Sequence, residues 1–542
     1  MAPGTIMTTT KKKKKTRTTM MTKTFAALAA TAALAAGCSS RGQTPATVPG
    51  ESTAGSQPAR PGPIAPSVVL PASDEPAVSL AAWFQVGSGD DPVGKEGLAW
   101  LTAQMVARAA TQDNAYDQIL TRLYPMAAEY DITVDTEMTV LSGRAPRDKA
   151  AEYLPLFTAA FTRPAFESAD FERLRAEALS YMEKNLRYAL DEELGKAAFV
   201  DALFAGTSYA HPPQGTATSL RAITLEDVRK FWRDHYTQDR VVFGLAGGWS
   251  KELRSGLEGS RAALAPAAPD PRPEAPAVAA PSGRQVLLVS KPGADASISF
   301  GFPIAVRRGH PDFAALYLAT SWLGEHRNSS SHLYQVIRAV RGLNYGDYAY
   351  VEAYPNGGRR DTPPPNTGRR QQAYEVWIRT LPNDNAVFAL RAAIREVERL
   401  ARDGMSSQQF ELTRSFLAKY MLHFAPSTHD QLLWALDDRY YGLSKPHLEQ
   451  LRAEIKALTL DQVNAALKKH LRPENMVIAI ATGKPDQLRE QLVSNAPTKP
   501  TYASPKPKPV LAEDEEIASY PLGIAARSIR IVPVDEMFAK GR

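Results

Sequence analysis

The nine histidines of this 542-residue chain are His211, His235, His310, His326, His332, His423, His429, His447 and His470. No two of them are three or four residues apart. Two imidazoles at that spacing share a helix face and can grip one metal ion, so a helical two-His clamp cannot be written anywhere in the chain. Histidines far apart in sequence could still meet in the fold. Cys38 is the sole cysteine, which excludes an intrachain disulfide and leaves the fold to be held by its core. Gly87-Ser-Gly89 lacks the spacing of a dinucleotide loop, and neither a phosphate-cradling P-loop nor a Gly-x-Ser-x-Gly elbow is present. A Ser/His/Asp triad assembled from distant positions stays open.

The segment from Phe84 to Glu96, followed by Gly97-Leu-Ala-Trp-Leu-Thr-Ala-Gln-Met-Val-Ala-Arg108, resembles the strand, turn and His-x-x-Glu-His helix of the insulinase/pitrilysin peptidases, the inverzincins. In that register Trp100 stands at the first His, Ala103 at the Glu and Gln104 at the second His. The family's third zinc ligand is a Glu roughly 75 residues further on. That position matches Tyr181, with Glu177 and Glu183 close by. An indole only donates, a methyl group offers nothing, and an uncharged amide oxygen is a poor zinc ligand. The resemblance therefore implies a member without the metal site: no cofactor in this chain, and zinc only in a partner chain.

A second resemblance lies in Ser331 to Tyr350. Ile337-Arg-Ala-Val-Arg-Gly-Leu-Asn-Tyr345 is similar to the family's Leu-Arg-x-x-Arg-Gly-Leu-x-Tyr, with Ala339 in place of the expected Glu. It implies that Arg338 and Tyr345 match the pair that binds the peptide substrate and supports the reacting carbonyl. Arg brings a forked cationic donor and Tyr a rigid hydroxyl, both suited to a peptide carbonyl or its oxyanion. Tyr348 and Tyr350 share one face of the strand that follows, a ladder suited to core packing or to a chamber wall.

Charge and targeting bound the partners. The net charge is +6, but residues 1–37 hold seven Lys or Arg and no acid. Without those seven, 57 basic residues face 58 acidic ones, so nothing in the body suggests a phosphate-binding surface and no nucleic-acid partner is expected. A basic stretch, the apolar run Phe25–Ala36 and then Gly37-Cys38-Ser39 read as a lipoprotein export signal with a lipobox over residues 1–38. Cys38 is the expected lipidation site. The expected location is the bacterial cell envelope, with a lipid anchor in the membrane; Ser39 after the Cys points to the outer membrane.

The elements that must position the candidate residues follow from composition and repetition. Residues 39–65, rich in Ser, Gly, Pro and Thr, read as a disordered tether. The Pro/Ala-rich stretch 265–283 reads as a linker between an N-terminal domain, 66–264, and a C-terminal domain, 284–490; a Pro/Lys-rich tail, 491–542, follows. Ile223–Gly248 lies over Leu458–Gly483 without a gap, and Thr224/Thr459, Leu225/Leu460, Val228/Val463 and His235/His470 coincide at an offset of 235. Each copy predicts a capping Thr, a short amphipathic helix ending in a His whose cation suits the dipole, and an apolar strand. Helical periodicity is predicted over 97–110, 148–161, 171–189, 192–204, 311–323, 385–403 and 407–424, and strands over 77–86, 285–289, 296–302 and 373–379. This order implies an α+β fold: two homologous domains, each an antiparallel sheet covered by helices. The family resemblance adds a clamshell arrangement.

Three functions fit. The first is a zinc-less subunit that gives Arg338 and Tyr345 to a zinc-bearing insulinase-family partner and its peptide substrate. The second is a non-enzymatic lipoprotein of the envelope that binds peptides or scaffolds an assembly. The third is an autonomous hydrolase with an unrecognised site. Because one side chain carries the whole attachment, Cys38→Ala should move the protein from the membrane fraction to the soluble fraction, read by fractionation and immunoblot.

Overall fold

In the computed structural model, residues 64–272 and 274–541 are described. Cys38, the export signal and most of the tether lie outside them. The apolar alternations of the first half become a five-stranded sheet: β1 (Val68–Val69), β2 (Ala77–Phe84), β3 (Glu129–Val134), β4 (Thr139–Pro146) and β5 (Val241–Gly247), in the order β1-β5-β2-β4-β3. The second half builds β6 (Arg284–Ser290), β7 (Ala296–Ile304), β8 (Asp347–Tyr350), β9 (Gln372–Leu381) and β10 (Met476–Thr482), with β11 (Ile529–Pro533) from the chain's last segment. Their order is β11-β6-β10-β7-β9-β8. Apart from the added β11, the two orders are the same, and β5 and β10 are related by the offset of 235 read from the repeat.

The sheets are mostly antiparallel. The α+β fold with an antiparallel sheet in each half is thus present, with parallel pairs where β1 runs beside β5, β6 beside β10 and β11 beside β6. Parallel neighbours require a long crossover, and the entire body of each half supplies it.

The repeated helices form as their caps dictate. Leu225–His235 and Leu460–His470 both start on a Thr whose hydroxyl accepts the backbone N–H three residues on, from Asp227 and Gln462. The cation expected at their ends is not realised in the first copy. Burial and the neighbouring Arg240 hold His235 down at about 4, so it is neutral and bonds the Arg240 guanidinium at 2.7 Å. The helix expected over 171–189 changes winding partway: Ser168–Ser180 is α-helical and Tyr181–Ala189 is π-helical. Residues 265–283 contain no helix or strand among those described.

Each sheet has one face packed by its own half's helices. The other face is covered from across the molecule. Helix Asp191–Leu203 of the first half lies over β7 and β10, and helix Thr428–Tyr440 of the second half lies over β1, β2 and β5. Gly195 lets the first of these approach closely, because a Cβ there would stand 3.1 Å from the Ser297 hydroxyl and 3.3 Å from its carbonyl. On the reverse side, Leu432 and Leu436 join Trp83, Val140 and Val242 in one buried cluster.

The C-terminal segment ties the halves a third time. After β11, Val534, Met537 and Phe538 bury themselves in the first half's core. Arg187 Nε donates to the Met537 carbonyl at 2.8 Å, while Ala217 N and Thr218 N donate to the carbonyls of Phe538 and Ala539 at 2.9 and 3.0 Å.

The loop that launches helix Leu98–Ala107 depends on Gly97, whose φ is +100°, and a Cβ there would stand 2.5 Å from the Gln214 carbonyl oxygen. Gly97→Ala combines left-handed strain with a backbone clash. It should cost about 1–3 kcal/mol or more, measured as a lowered urea midpoint of a folded protein.

Candidate functional site

Helix Leu98–Ala107 is buried almost all round, and of its ten residues only Trp100 is partly exposed. Its N-terminus is held from six residues upstream: the two Asp91 carboxylate oxygens accept the Gly97 and Ala99 N–H groups at 2.6 and 2.7 Å. That bond pair does the work of a helix cap on a helix with no capping side chain of its own. The strand and turn before the helix are therefore retained along with it.

The metal chemistry is not. The Ala103 methyl is fully buried. Gln104 Oε1 accepts from Arg108 Nη1 at 3.2 Å, and Arg108 Nη2 pairs with Glu177 at 2.9 Å. The guanidinium thus already neutralises the nearest carboxylate, and a divalent cation there would meet a like charge. Tyr181 starts the π-helical segment and is half-buried; desolvation and the negative Glu193 raise its hydroxyl above the usual phenol range. Zinc does not fit Trp100, Ala103, Gln104 and Tyr181.

Arg338 and Tyr345 lie on the second half. Arg338 belongs to the chain's other π-helical segment among the described residues, Tyr334–Ala339, and its guanidinium lies over the Tyr334 ring at 5.1 Å. Together with Arg379 it faces Asp347, but burial wins and holds that carboxyl well above the normal range. Tyr345, in the turn before β8, is 75% exposed. Tyr348 and Tyr350 pack with Tyr354 and Trp377 in a buried aromatic cluster, so the ladder is core.

A cavity of about 160 Å3 opens between the halves. Tyr181 lines it; Arg338 and Tyr345 do not. The structure therefore does not gather the pair and the former ligand positions around one chamber of this chain. Charged pairs from opposite halves frame the cavity instead. Lys196 Nζ meets both Glu375 oxygens at 3.0 Å while lying over the Tyr350 and Trp377 rings, and Arg369 bonds Asp135 at 2.8 Å. Just beyond it Glu137 takes Arg272, Arg370 and the Tyr440 hydroxyl. Lys196 and Glu375 were not singled out from sequence. The signal was available for Glu375, however, a lone charge in the apolar run Ala373–Ile378.

Three potential metal donors do converge, from positions 160 residues apart. His310, Asp312 and His470 bring ligand atoms within 4.8 Å of one another. Their polar atoms are already engaged: Asp312 Oδ2 takes His470 Nε2 and Lys469 Nζ, each at 2.7 Å, and His310 Nδ1 accepts the Asp312 N–H at 3.0 Å. This joins one helix start to another helix end and gives His470 a structural role.

Against known proteins, residues 67–209 match the model of the insulinase family, peptidase family M16, and residues 222–417 match the model of the peptidase M16 inactive domain. The uncharacterized zinc protease YmxG of Bacillus subtilis is 22% identical over 409 residues, spanning 74% of this chain and 92% of that protein. A peptidase M16 inactive domain from Pseudomonas fluorescens has a like fold, with TM-score 0.67, 23% identity, and coverage of 77% of this chain and 95% of the other. A chain of complex III2 from Candida albicans is similar at TM-score 0.60 and 13% identity, over 78% of this chain and 94% of its own.

The buried pair at the cavity gives a direct test of how the halves are held. Lys196→Met leaves Glu375 buried without its partner and should destabilise the protein by about 3–5 kcal/mol; adding Glu375→Leu should restore most of that loss in urea unfolding.

Proposed function

Because the chain belongs to the insulinase family and its residues at the ligand positions do not fit zinc, we propose that it is the zinc-less subunit of a two-chain peptidase. It offers Arg338 and Tyr345 to a peptide held against a zinc-bearing partner of the same family. The exposure of Tyr345 carries this reading. A tyrosine kept for packing would be buried, as Tyr348 and Tyr350 are; this one points its ring and hydroxyl outward. One helical segment earlier on the same half, Arg338 is partly open and always charged.

When bound in the partner, zinc supplies the activated water. The work left for this chain is binding and charge stabilisation. Arg338 presents N–H donors in a fixed fork and Tyr345 a single O–H donor, which together can hold a peptide carbonyl and strengthen as negative charge develops on its oxygen. The likeness to a chain of complex III2, a multisubunit assembly, supports life as a subunit. Attachment through Cys38 would keep such a pair at the envelope membrane. Among the described residues no helix is long and apolar enough to cross a membrane.

The test is reconstitution with a zinc-bearing family member. The chain alone should carry no stoichiometric zinc by metal analysis. In an assembled pair, verified by size, Arg338→Ala and Tyr345→Phe should each lower turnover at saturating substrate by about a hundred- to a thousandfold, or roughly 2.7–4 kcal/mol. Tyr345→Phe is the cleaner variant, since an exposed hydroxyl contributes little to folding. Normal turnover in an intact complex would replace this reading with a non-enzymatic peptide-binding or scaffold lipoprotein.

A further inference from the structure

The turn that presents Tyr345 is held from beneath by one side-chain amide. Asn344 Nδ2 donates across Tyr345 to the Gly346 carbonyl at 3.1 Å and to Asp347 Oδ1 at 2.7 Å, and it reaches the Arg379 carbonyl on β9 at 3.3 Å. The Arg379 N–H donates to the same Gly346 carbonyl at 3.1 Å, which carries the β8–β9 ladder one residue past Asp347. Residue 346 has no room for a side chain: a Cβ there would stand 2.3 Å from the Tyr348 hydroxyl, whose ring is locked in the buried aromatic cluster. The backbone is therefore pinned on both sides of a residue whose own side chain is 75% exposed. Only the two side-chain torsions of Tyr345 are left for a bound peptide to set.

This clasp is costly to bury. Asp347 is fully buried, and neither its Oδ2 nor Asn344 Oδ1 finds a hydrogen-bond partner among the described residues. Arg338 and Arg379 attract the Asp347 charge without offsetting its burial. Two apolar side chains in these places would leave no orphaned polar atom and would fill the same space at less cost. What they could not supply is a donor that reaches the oxygens of three separate residues at once and so fixes where residue 345 points.

We infer that Asn344, backed by Asp347, is a positioning residue that aims the Tyr345 hydroxyl at the substrate carbonyl. The inference rests on the subunit reading above and adds to it the part of this chain that sets the geometry. A hydroxyl that meets a developing oxyanion must be aimed beforehand, and a misplacement of about 1 Å can cost about a hundredfold in rate. The clasp takes its aim from the sheet. Through Arg379 it is continuous with β9, and the Arg379 guanidinium is itself held at 2.8 Å by Glu192 of the first half.

A double-mutant cycle in the reconstituted pair tests this. Asn344→Ala should lower turnover at saturating substrate by at least about tenfold while KM changes by less than about threefold, because the aim matters most where charge develops. In the Tyr345→Phe background the same change should lower turnover by no more than about a further twofold, since no hydroxyl is left to aim. Asn344→Ala combined with Asp347→Val removes both partners and orphans neither, so it should fold even if the single variant does not, and it should show the same loss of turnover. A fall by the same factor with and without the Tyr345 hydroxyl overturns the proposal and makes the clasp a folding element. So does normal turnover of a folded Asn344 variant beside an impaired Tyr345→Phe. Normal turnover of Tyr345→Phe itself is a different result: it sinks the subunit reading, and the positioning role falls with it.

Discussion

A sheet has two faces, and neither half of this protein covers both of its own. Helix Asp191–Leu203 is lent to the second sheet and helix Thr428–Tyr440 to the first, so each half completes its core only in the other's presence. The rest follows from this exchange. Gly195 must be small because a borrowed helix lies directly on a strand. Lys196, next to it, is carried into the interior by the same helix, and Glu375 answers it from the opposite half. The cavity, framed by such pairs, is the space left where two curved surfaces meet imperfectly.

The same economy explains how a metal site can disappear without disturbing its surroundings. Helix Leu98–Ala107 is fixed by Asp91, Gly97 and packing on every side, none of which needs a ligand. A buried Ala103 and a Gln104 tied to Arg108 are better neighbours for this apolar environment than a histidine pair without its metal would be. One π-helical stretch begins at Tyr181 and the other encloses Arg338, positions that the family resemblance matches to a zinc ligand and to the peptide-binding pair. Irregular winding of this kind often marks functional segments, and here the winding outlasts the ligand on one side.

Much of the fold could be read from sequence, for local reasons. β2, β6, β7 and β9 announce themselves by apolar runs, and the paired capping Thr residues give the duplication its register. What stayed hidden depended on distant partners. Helix Thr428–Tyr440 was not anticipated because its buried residues face another half's sheet. His310 and His470 meet across a separation that no spacing rule inspects. The protonation of His235 is decided by burial and Arg240, not by the helix dipole that its sequence position suggested. At the candidate site, Trp100, Ala103, Gln104 and Tyr181 were legible through the family frame. The pairing of Lys196 with Glu375 was not, since it forms only across the two halves.

The C-terminal strap has a consequence for the order in which the molecule is made. Arg187 waits for a carbonyl 350 residues later in the chain, and Ala217 and Thr218 wait nearly as long. At about 5–20 residues per second, a ribosome finishes the first half roughly 15–55 seconds before residues 534–541 emerge to cover it. During that interval the nascent first half exposes both the ground meant for Phe538 and the sheet face meant for helix Thr428–Tyr440. Such surfaces are open to holdase chaperones or to the strap of another copy until the chain's own strap arrives.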